Sequence, residues 1–301
     1  MGRLTAIVLG SAAGGGVPQW NCSCPVCRLA WEGDARVRPR TQSGLAVTAD
    51  GHNWILINAS PDLGQQIRRS KGLQPRSGVR GSPIKAVVLT GAEIDQIAGL
   101  LTLRERERVV IHASAAVLAI LAENPIFNGL APELVTRSIA DSSVPVALPG
   151  GLQAELFPVP GKPPLYIENV QPTQGGLEET NAGVELCAGG TCLIYVPGAA
   201  AISPPVRERL ARADVILFDG TFFRDDEMER QGTGTKTAFA MGHMPISGEG
   251  GSLAILQGIG ARRIYVHINN TNPVLIHGTP ERAEVEQHGW EIAEDGMEIA
   301  L

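Results

Sequence analysis

The chain has 301 residues, of which 36 are glycine and 21 are proline, and its formal net charge is −6. A hydrophobic fraction of 44% can fill a large core, whereas the acidic balance argues against a nucleic-acid-binding protein, which concentrates basic residues on one face. No segment reaches the about eighteen consecutive apolar residues of a membrane span, and the apolar run before Gly10 is too short for a signal peptide, so we expect a cytoplasmic protein.

Short apolar runs rich in β-branched residues recur along the chain, with turn residues between them, and they predict strands. The predicted strands are Thr5–Leu9, Gly44–Thr48, Trp54–Asn58, Ala86–Thr90, Val109–His112, Gln153–Pro158, Gly183–Cys187, Cys192–Val196, Val215–Asp219, Arg263–His267 and Trp290–Ala293. Asp50-Gly51 lies between two of these runs and indicates a hairpin, because glycine tolerates a positive φ.

Helical spacing of apolar residues predicts helices between the strands. The predicted helices are Gln96–Glu107, Ser114–Glu123, Pro204–Arg212 and Ser247–Gln257. Ser60-Pro61 and Thr279-Pro280 indicate two further helix starts, each with a hydroxyl N-cap followed by proline at the first helical position. No linker, charge block or repeat in the sequence marks a boundary, so we expect one α/β domain over residues 1–301, with mixed sheets flanked by helices.

Three cysteines lie close together near the N-terminus, at Cys22, Cys24 and Cys27. Sulfurs at this spacing can converge on one ion, and zinc binds thiolates at about 2.3 Å in a tetrahedron. The alternatives are a disulfide, which a reducing compartment disfavours, and free surface thiols. We therefore predict a structural zinc ion in a tightly folded loop near residues 14–30, with a fourth ligand from a distant part of the chain.

The other two cysteines, Cys187 and Cys192, flank a turn that contains Gly189-Gly190. A two-residue turn of this kind would place them opposite each other across a hairpin. Because we expect a reducing compartment, we predict packed free thiols without a function.

Two glycine-rich segments resemble phosphate-binding loops only superficially. Residues 10–16 lack the spacing of the dinucleotide fingerprint, and no Gly-Lys-Ser/Thr follows them. The segment Gly232–Thr237 follows acidic residues rather than a strand, and we predict a flexible active-site loop in which Lys236 is a catalytic candidate.

Acidic and histidine side chains follow several predicted apolar strands. Glu93 and Asp95 lie in a strand-to-helix turn, Asp219 and His267 end two other strands, and His243 lies in a Gly/Pro loop. Such residues at strand ends are typical of a metal site at a sheet edge, and we predict Glu93, Asp95 and His267 as ligands. Asp219 and His243 are the candidates for a general base. The alternative for the first pair is that Asp95 caps the helix and Glu93 is solvated.

The segment Leu89-Thr90-x-x-x-x-Asp95-x-x-x-Gly99-Leu100 resembles the signature turn of the metallo-β-lactamase superfamily, which reads His-x-His-x-Asp-His. The histidines of that signature would fall on Gly91, Glu93 and Gln96, so only the acid remains. His267 lies where the superfamily carries its last strand-end metal histidine.

Four further motifs, spread over almost the whole chain, resemble the PqqB family of pyrroloquinoline quinone (PQQ) biosynthesis; they are Gly10–Cys22, Asp219–Phe222, Met241–His243 and His267–Pro273. The resemblance implies a four-layer αββα sandwich, a structural zinc at the three cysteines and a homodimer. Relatives in this family carry Asp-His at the positions of Asp95 and Gln96, so a histidine ligand is missing here. In phosphodiesterases with the same cysteine pattern the fourth zinc ligand is a histidine, which would fall on Asn270.

Three functions follow from this combination of motifs. The resemblance implies an iron-dependent hydroxylation of the tyrosine moiety in the cross-linked Glu–Tyr precursor of PQQ, and mixed nitrogen and oxygen ligands suit Fe(II). A hydrolase with zinc-bound hydroxide is a second function, although a two-metal version needs more histidines. The third is a non-catalytic carrier of PQQ or its precursor toward the periplasm. Such a carrier would bind its ligand through His243, Lys236, Asn269, Asn270 and Asn272.

Overall fold

The computed structural model describes residues 2–76, 78–167 and 177–301, and two seven-stranded sheets form its centre. In chain order the strands are β1 (Thr5–Gly10), β2 (Gly44–Thr48), β3 (Trp54–Ile57), β4 (Ile84–Val88), β5 (Val109–Ala113), β6 (Val135–Ile139), β7 (Val146–Leu148), β8 (Leu152–Pro158), β9 (Ala182–Ala188), β10 (Thr191–Val196), β11 (Val215–Asp219), β12 (Arg262–Val266), β13 (Trp290–Ile292) and β14 (Glu298–Ala300). The first sheet has the order β14-β1-β2-β3-β4-β5-β6, and the second has the order β13-β12-β11-β10-β9-β8-β7.

Short helices cover the outer faces of the two sheets. The α-helices are α1 (Pro25–Trp31), α2 (Leu63–Arg69), α3 (Ile94–Ile97), α4 (Ala115–Glu123), α5 (Pro204–Leu210), α6 (Glu227–Arg230), α7 (Ser252–Ile255) and α8 (Pro280–Gln287). The 3₁₀ helices are Lys71–Leu73, Ala98–Arg104, Pro125–Gly129, Pro149–Gly151, Leu165–Ile167, Leu177–Thr180, Phe239–Met241 and Pro273–Leu275. Among the described residues, none of these helices is long and apolar enough to cross a membrane.

Three apolar cores define four layers. The central core lies between the sheets and includes Val47 from the first sheet and Leu217 from the second. A second core packs the first sheet against helices that include Ile120 of α4. A third core packs the second sheet against its own helices and includes Val206 and Trp290. Because each sheet buries both of its faces, the apolar runs are nearly continuous, and the predicted αββα sandwich is confirmed.

Every predicted strand is present, and Gly44–Thr48 and Val215–Asp219 have the predicted bounds. The sequence analysis does not identify β6, β7 and β14. All three lie at sheet edges, and every other residue or more in them is exposed or half-buried, so their apolar pattern is weak.

The helix predictions have mixed outcomes. The N-cap Thr279 is confirmed, because its hydroxyl accepts a hydrogen bond from a backbone N–H in the first turn. The predicted helix Ser114–Glu123 is present as α4, with Ser114 as its N-cap. The predicted helix Gln96–Glu107 is wrong as an α-helix, since a single α-turn passes into 3₁₀ geometry after Ile97. Gly99 N–H donates to Ala59 O (2.8 Å), and Ala59 N–H donates to Gln96 O (2.7 Å), so bonds to a neighbouring strand end replace the helical ladder.

Two other helices start later than predicted. After Ser60-Pro61, α2 begins at Leu63 with Asp62 as its N-cap. Within the predicted helix Ser247–Gln257, only the single turn α7 is helical, because its N-cap Gly251 is in extended geometry.

The cysteine hairpin has the predicted geometry but not the predicted chemistry. Cys187 and Cys192 are direct partners in the β9–β10 pairing around the Gly189-Gly190 turn. Their Cα atoms lie 4.3 Å apart, and their sulfurs form a disulfide. The prediction of free thiols is therefore wrong, because directly opposed residues on one face of a hairpin bring their sulfurs within bonding distance.

The parallel parts of both sheets direct their carboxyl ends to one edge of the sandwich. In the second sheet β10, β11, β12 and β13 run parallel, and in the first sheet β3, β4 and β5 do so. Asp95 follows β4 in the short helix α3, Asp219 is the last residue of β11, and His267 directly follows β12. This is the edge at which open α/β sheets place ligand sites.

Candidate active site

A cavity of about 510 Å³ opens at this edge of the sandwich. Loops from both sheets contribute to it. Its lining residues include Gly14, Glu93, Asp95, Gln96, Lys162, Leu165, Asn181, Thr221, Phe222, Met228, Lys236, His243, His267 and Asn269. All the candidate residues from the strand-end loops except Asp219, Asn270 and Asn272 therefore line this one cavity.

His267 and Asp95 form a buried pair across the two sheets. His267 Nε2 lies 2.9 Å from Asp95 Oδ2, and His267 Nδ1 lies 2.9 Å from Thr221 Oγ1. Burial opposes ionisation of Asp95, but the hydrogen bond and charge of His267 outweigh it and hold the pKa of Asp95 below its usual value. The same pairing raises the pKa of His267 against the effect of its burial. His267 also has a φ of 55°, an uncommon backbone conformation for a residue with a side chain.

Asp219 and His243 form a second pair beside the first. Asp219 is fully buried, and its Oδ2 lies 2.7 Å from His243 Nδ1. Asp219 also accepts hydrogen bonds from Ala199 N (2.9 Å), Thr221 N (3.0 Å) and Thr221 Oγ1 (2.6 Å). Burial disfavours the charged carboxylate, but His243 and these donors lower the pKa of Asp219. The rings of His243 and His267 stack with centroids 5.4 Å apart.

These two pairs provide a donor set for a metal ion. The ligand atoms of Asp219, His243 and His267 all lie within 4.8 Å of one another, and Asp95 contacts His267 directly. Two carboxylates and two imidazoles form a mixed oxygen and nitrogen set, which fits Fe²⁺, Mn²⁺ or Zn²⁺. The residues present therefore fit a divalent metal ion at the base of the cavity.

Glu93 lies in the predicted strand-to-helix turn, but it caps the helix, a role that the sequence suggested for Asp95. Glu93 is the N-cap of α3, its carboxylate accepts the backbone N–H of Gln96, and the Gln96 side chain accepts Glu93 N–H at 3.1 Å. Thus Glu93, and not Asp95, caps the helix. Glu93 still lines the cavity, where burial and then the charge of Asp95 raise its pKa, and its role as a ligand stays a prediction.

Gly91 has no room for the first histidine of the superfamily signature. A Cβ added there would lie 2.3 Å from Gln96 Oε1 and 2.8 Å from Thr180 O. The other two histidine positions of the signature are occupied by Glu93 and Gln96. These two residues hydrogen-bond to each other's backbone in the capping box of α3.

The segment of residues 267–273 connects the cavity to the thiolate cluster. Asn269 lines the cavity and donates through Nδ2 to Thr271 Oγ1 at 2.6 Å. Asn270 points instead to the three cysteines, and Asn272 is fully buried, with Nδ2 donating to Gly220 O at 2.9 Å. The expectation that three amides bind a ligand in the cavity is therefore corrected to Asn269 alone.

The three cysteine sulfurs converge as the spacing predicts. The Sγ atoms of Cys22, Cys24 and Cys27 lie within 4.8 Å of one another. Asn270 Nδ2 lies 3.1 Å from Cys22 Sγ, 3.3 Å from Cys27 Sγ and 3.8 Å from Cys24 Sγ, so its amide donates hydrogen bonds to the cluster. The hydrogen bond from Cys24 lowers the pKa of Cys27 to about 5, against the effect of burial. Three thiol sulfurs fit three corners of a tetrahedral zinc site, whereas the Asn270 amide nitrogen is a hydrogen-bond donor to the sulfurs and not a zinc ligand.

The thiolate cluster is not entirely in a loop. Cys24 is the N-cap of α1, Pro25 occupies its first turn, and Cys27 lies within the helix. This corrects the expectation of an irregular segment over residues 14–30. Proline at the first helical position was the available signal, because it indicates a helix start.

Two residues are important here but were not predicted from the sequence: Thr221, which lines the cavity, and Glu227, which is buried beside it. Thr221 Oγ1 lies within 3.1 Å of His243 Nδ1 as well as close to Asp219 and His267, and its place two residues after Asp219 was the available signal. Glu227 is buried, and it accepts Thr271 Oγ1 at 2.6 Å and Phe223 N at 2.7 Å. Nothing in the acidic segment around Glu227 indicated that this residue is buried. Burial raises the pKa of Glu227 to about 7.

The Glu227→Gln variant should change how stability depends on pH. Because the pKa of Glu227 is raised from 4.5 to about 7, the folded protein binds this proton more tightly than the unfolded chain. The favourable contribution is complete below about pH 4.5 and is lost as the pH rises through about 7, by about 3 kcal/mol in total. Urea unfolding should show that the free energy of unfolding falls less between pH 5 and pH 8 in the variant than in wild type. The exposed Glu229→Gln variant should behave like wild type; an unchanged pH dependence in Glu227→Gln would contradict the assignment.

Comparison with known proteins agrees with this architecture. A model of the beta-lactamase superfamily domain matches residues 53–268. A diphosphatase of the PhnP family shares the fold, with a TM-score of 0.71 and 20% identity over 99% of this chain and 97% of that chain. The chain therefore has the metallo-β-lactamase fold.

More specific matches extend over the full length. The chain is 51% identical to coenzyme PQQ synthesis protein B of Methylobacterium nodulans, over 99% of this chain and 100% of the relative. It is 50% identical to the protein of the same name from Rhizobium meliloti, over 99% and 98%. The crystal structure of Zn²⁺-bound PqqB from Methylobacterium extorquens matches with a TM-score of 0.94 and 48% identity, over 99% of this chain and 100% of that one. The chain belongs to the PqqB family.

Proposed function

We propose that this protein acts in PQQ biosynthesis by hydroxylating the tyrosine moiety of the cross-linked Glu–Tyr precursor, with Fe²⁺ as the metal and O₂ as the oxidant. One oxygen atom enters the ring, and an external two-electron reductant such as ascorbate converts the other to water. The observation that carries the proposal is the convergence of two carboxylates and two imidazoles at the base of an open cavity. Membership of the PqqB family supports the choice of substrate. The cytoplasm as its location and the homodimer belong to the same proposal.

Three of the four donors would hold the ion, namely Asp95, Asp219 and His267. When bound, Fe²⁺ would supply the activation of O₂. His243 is more exposed than the others, with 17% of its side chain accessible. Asp219 fixes Nδ1 of this ring at 2.7 Å, so we assign to His243 the removal of the phenolic proton. Lys236 contributes to binding at the rim of the cavity.

Oxygen uptake with the Glu–Tyr precursor tests this function. Wild-type protein loaded with Fe²⁺ and supplied with ascorbate should consume O₂ and add one oxygen atom to the precursor, detected by mass spectrometry. The His243→Ala variant should keep its iron and lose most of its turnover. Absence of any hydroxylated product with Fe²⁺, Mn²⁺ or Zn²⁺ would contradict the proposal.

A carrier of PQQ or its precursor is the second candidate, and the replacement of a ligand position by Gln96 favours it. If this function holds, the metal-free protein binds PQQ tightly and no divalent ion produces turnover. A two-metal hydrolase is disfavoured by the same turn, because Gly91 cannot accept a larger side chain and Glu93 and Gln96 bond to each other.

The Gln96→His variant should bind a divalent metal more tightly than wild type. Gln96 lines the cavity beside Asp95, so an imidazole there adds a donor to the set. We expect the Kd for Fe²⁺ or Mn²⁺ to fall at least about tenfold, equivalent to about 1.4 kcal/mol. Isothermal titration of the metal into the purified chain measures this. The Gln96→Ala variant loses the capping bond without adding a donor and is the matched control; equal Kd values in all three proteins would count against the metal site.

A further inference from the structure

We infer that Lys162 and Lys236 form a cationic rim that selects ligands carrying two or more carboxylates, an inference that rests on the proposed function for the identity of the ligand. Only four of the 25 Lys and Arg residues of the chain are lysines, namely Lys71, Lys85, Lys162 and Lys236. Two of these four line the cavity, and no arginine is among its described lining residues. The cavity thus carries two lysine ammonium groups, whereas most of the other Lys and Arg residues of the chain are arginines.

Lys162 lies on a wall of the cavity that the backbone holds in place. Ala200 N donates to Pro160 O at 2.7 Å, and Asn181 Nδ2 donates to Val159 O at 3.1 Å, just before Lys162. Gly242 has a φ of 85°, and a Cβ there would lie 2.7 Å from Lys162 Cβ. Lys162 therefore packs on the backbone next to His243, the residue to which we assign the proton transfer.

Lys236 approaches the cavity from a different part of the chain. It lies in the exposed segment of residues 232–237, between α6 and the 3₁₀ helix Phe239–Met241. Thr233 N donates to Met228 O at 3.0 Å, and Ala238 N donates to Asp225 O at 2.9 Å, so both ends of this segment are anchored. Two independent elements thus each bring one ammonium group to the same opening.

The charge distribution of the cavity determines what these lysines can do. Asp95 lines the base, the buried Asp219 lies behind it in contact with His243, and Glu93 lies on the wall, so the interior repels anions unless a metal ion is present. Carboxylates of a ligand are therefore expected at the rim, where an ammonium group acts as a point charge without the fixed fork of arginine. A ligand with separated carboxylates can contact both lysines while its ring reaches His243. The cross-linked Glu–Tyr precursor and PQQ both have this chemistry.

Binding of PQQ to the full-length chain tests the inference, with quenching of tryptophan fluorescence as the readout. Lys162→Ala and Lys236→Ala should each raise the Kd for PQQ about five- to tenfold, as expected for one charge-assisted contact at a partly exposed site, and the double variant should lose more. Lys162→Arg should restore part of the affinity because the charge is kept. Lys71→Ala, which alters an exposed lysine outside the cavity, is the matched control and should bind like wild type.

The trimethyl ester of PQQ separates charge recognition from ring stacking. It should bind wild type and the double variant equally weakly. Wild-type affinity for PQQ in the double variant, or equal affinity of wild type for the acid and the ester, would overturn the inference. Because this readout needs no turnover, a failure to hydroxylate the precursor contradicts the proposed function and leaves the rim to be judged by binding alone.

Discussion

The Asp219→Asn variant is expected to lose metal-dependent turnover by at least about a hundred-fold. Asp219 is fully buried, accepts bonds from two backbone N–H groups and from Thr221, and holds Nδ1 of His243. Removing its charge takes a proposed ligand from the metal and the ionic partner from His243. Breaking a buried charged pair costs about 3–5 kcal/mol, and each 1.4 kcal/mol corresponds to about a factor of ten.

Metal titration and turnover should be measured together on this variant, since both depend on the same carboxylate. Asp226→Asn is the matched control, because Asp226 is half-exposed and pairs only with Arg224 and Arg230 on the surface. The control should keep full activity. Normal metal affinity combined with normal turnover in Asp219→Asn would remove this residue from the active site.

The Cys27→Ser variant is expected to release the structural metal and to lower the melting temperature by about 10 °C or more. Cys27 is fully buried, and its sulfur lies 3.3 Å from Asn270 Nδ2, within the segment that also carries His267. Structural zinc sites contribute folding free energy directly, of the order of 10 kcal/mol in small domains. A loss of about 6 kcal/mol corresponds to about 10 °C in a domain of this size.

Zinc content by mass spectrometry and a thermal scan check this expectation. Ser23→Ala alters an exposed side chain between two of the cysteines and should leave both quantities unchanged. A Cys27→Ser protein that retains one tightly bound zinc ion per chain and melts like wild type would show that the thiolates are not ligands.

The layers of the fold could be predicted because the buried strands are nearly continuous apolar runs, as in Val215–Asp219. What could not be predicted depends on partners distant in the sequence. The helix after Gln96 changes its geometry because Ala59, on a neighbouring strand end, takes part of its hydrogen bonding. The disulfide was missed for a different reason: the sequence predicted the hairpin that opposes the two cysteines, but our expectation of a reducing compartment pointed away from a bond.

Residues of the candidate site could be predicted where an acidic or histidine side chain ends or follows an apolar strand, as for Asp95, Asp219 and His267. The distribution of roles among these residues was not. Glu93 caps the helix and Asp95 faces His267, and this depends on the direction in which one turn projects its side chains. Glu227 gave no signal at all, because its partner Thr271 lies 44 residues away and its acidic sequence neighbours, Asp226 and Glu229, are half-exposed or exposed.

The central claim is that a divalent metal binds between the two carboxylate–histidine pairs and that a separate zinc ion is held by the cysteines. Anomalous diffraction at the iron and zinc edges, from crystals of the full chain soaked anaerobically with Fe²⁺, tests it most directly. We predict iron bound by Asp95, Asp219 and His267 at the base of the cavity, and zinc at the three cysteines. An iron-free cavity in crystals whose cysteine site holds zinc would contradict the proposed hydroxylase.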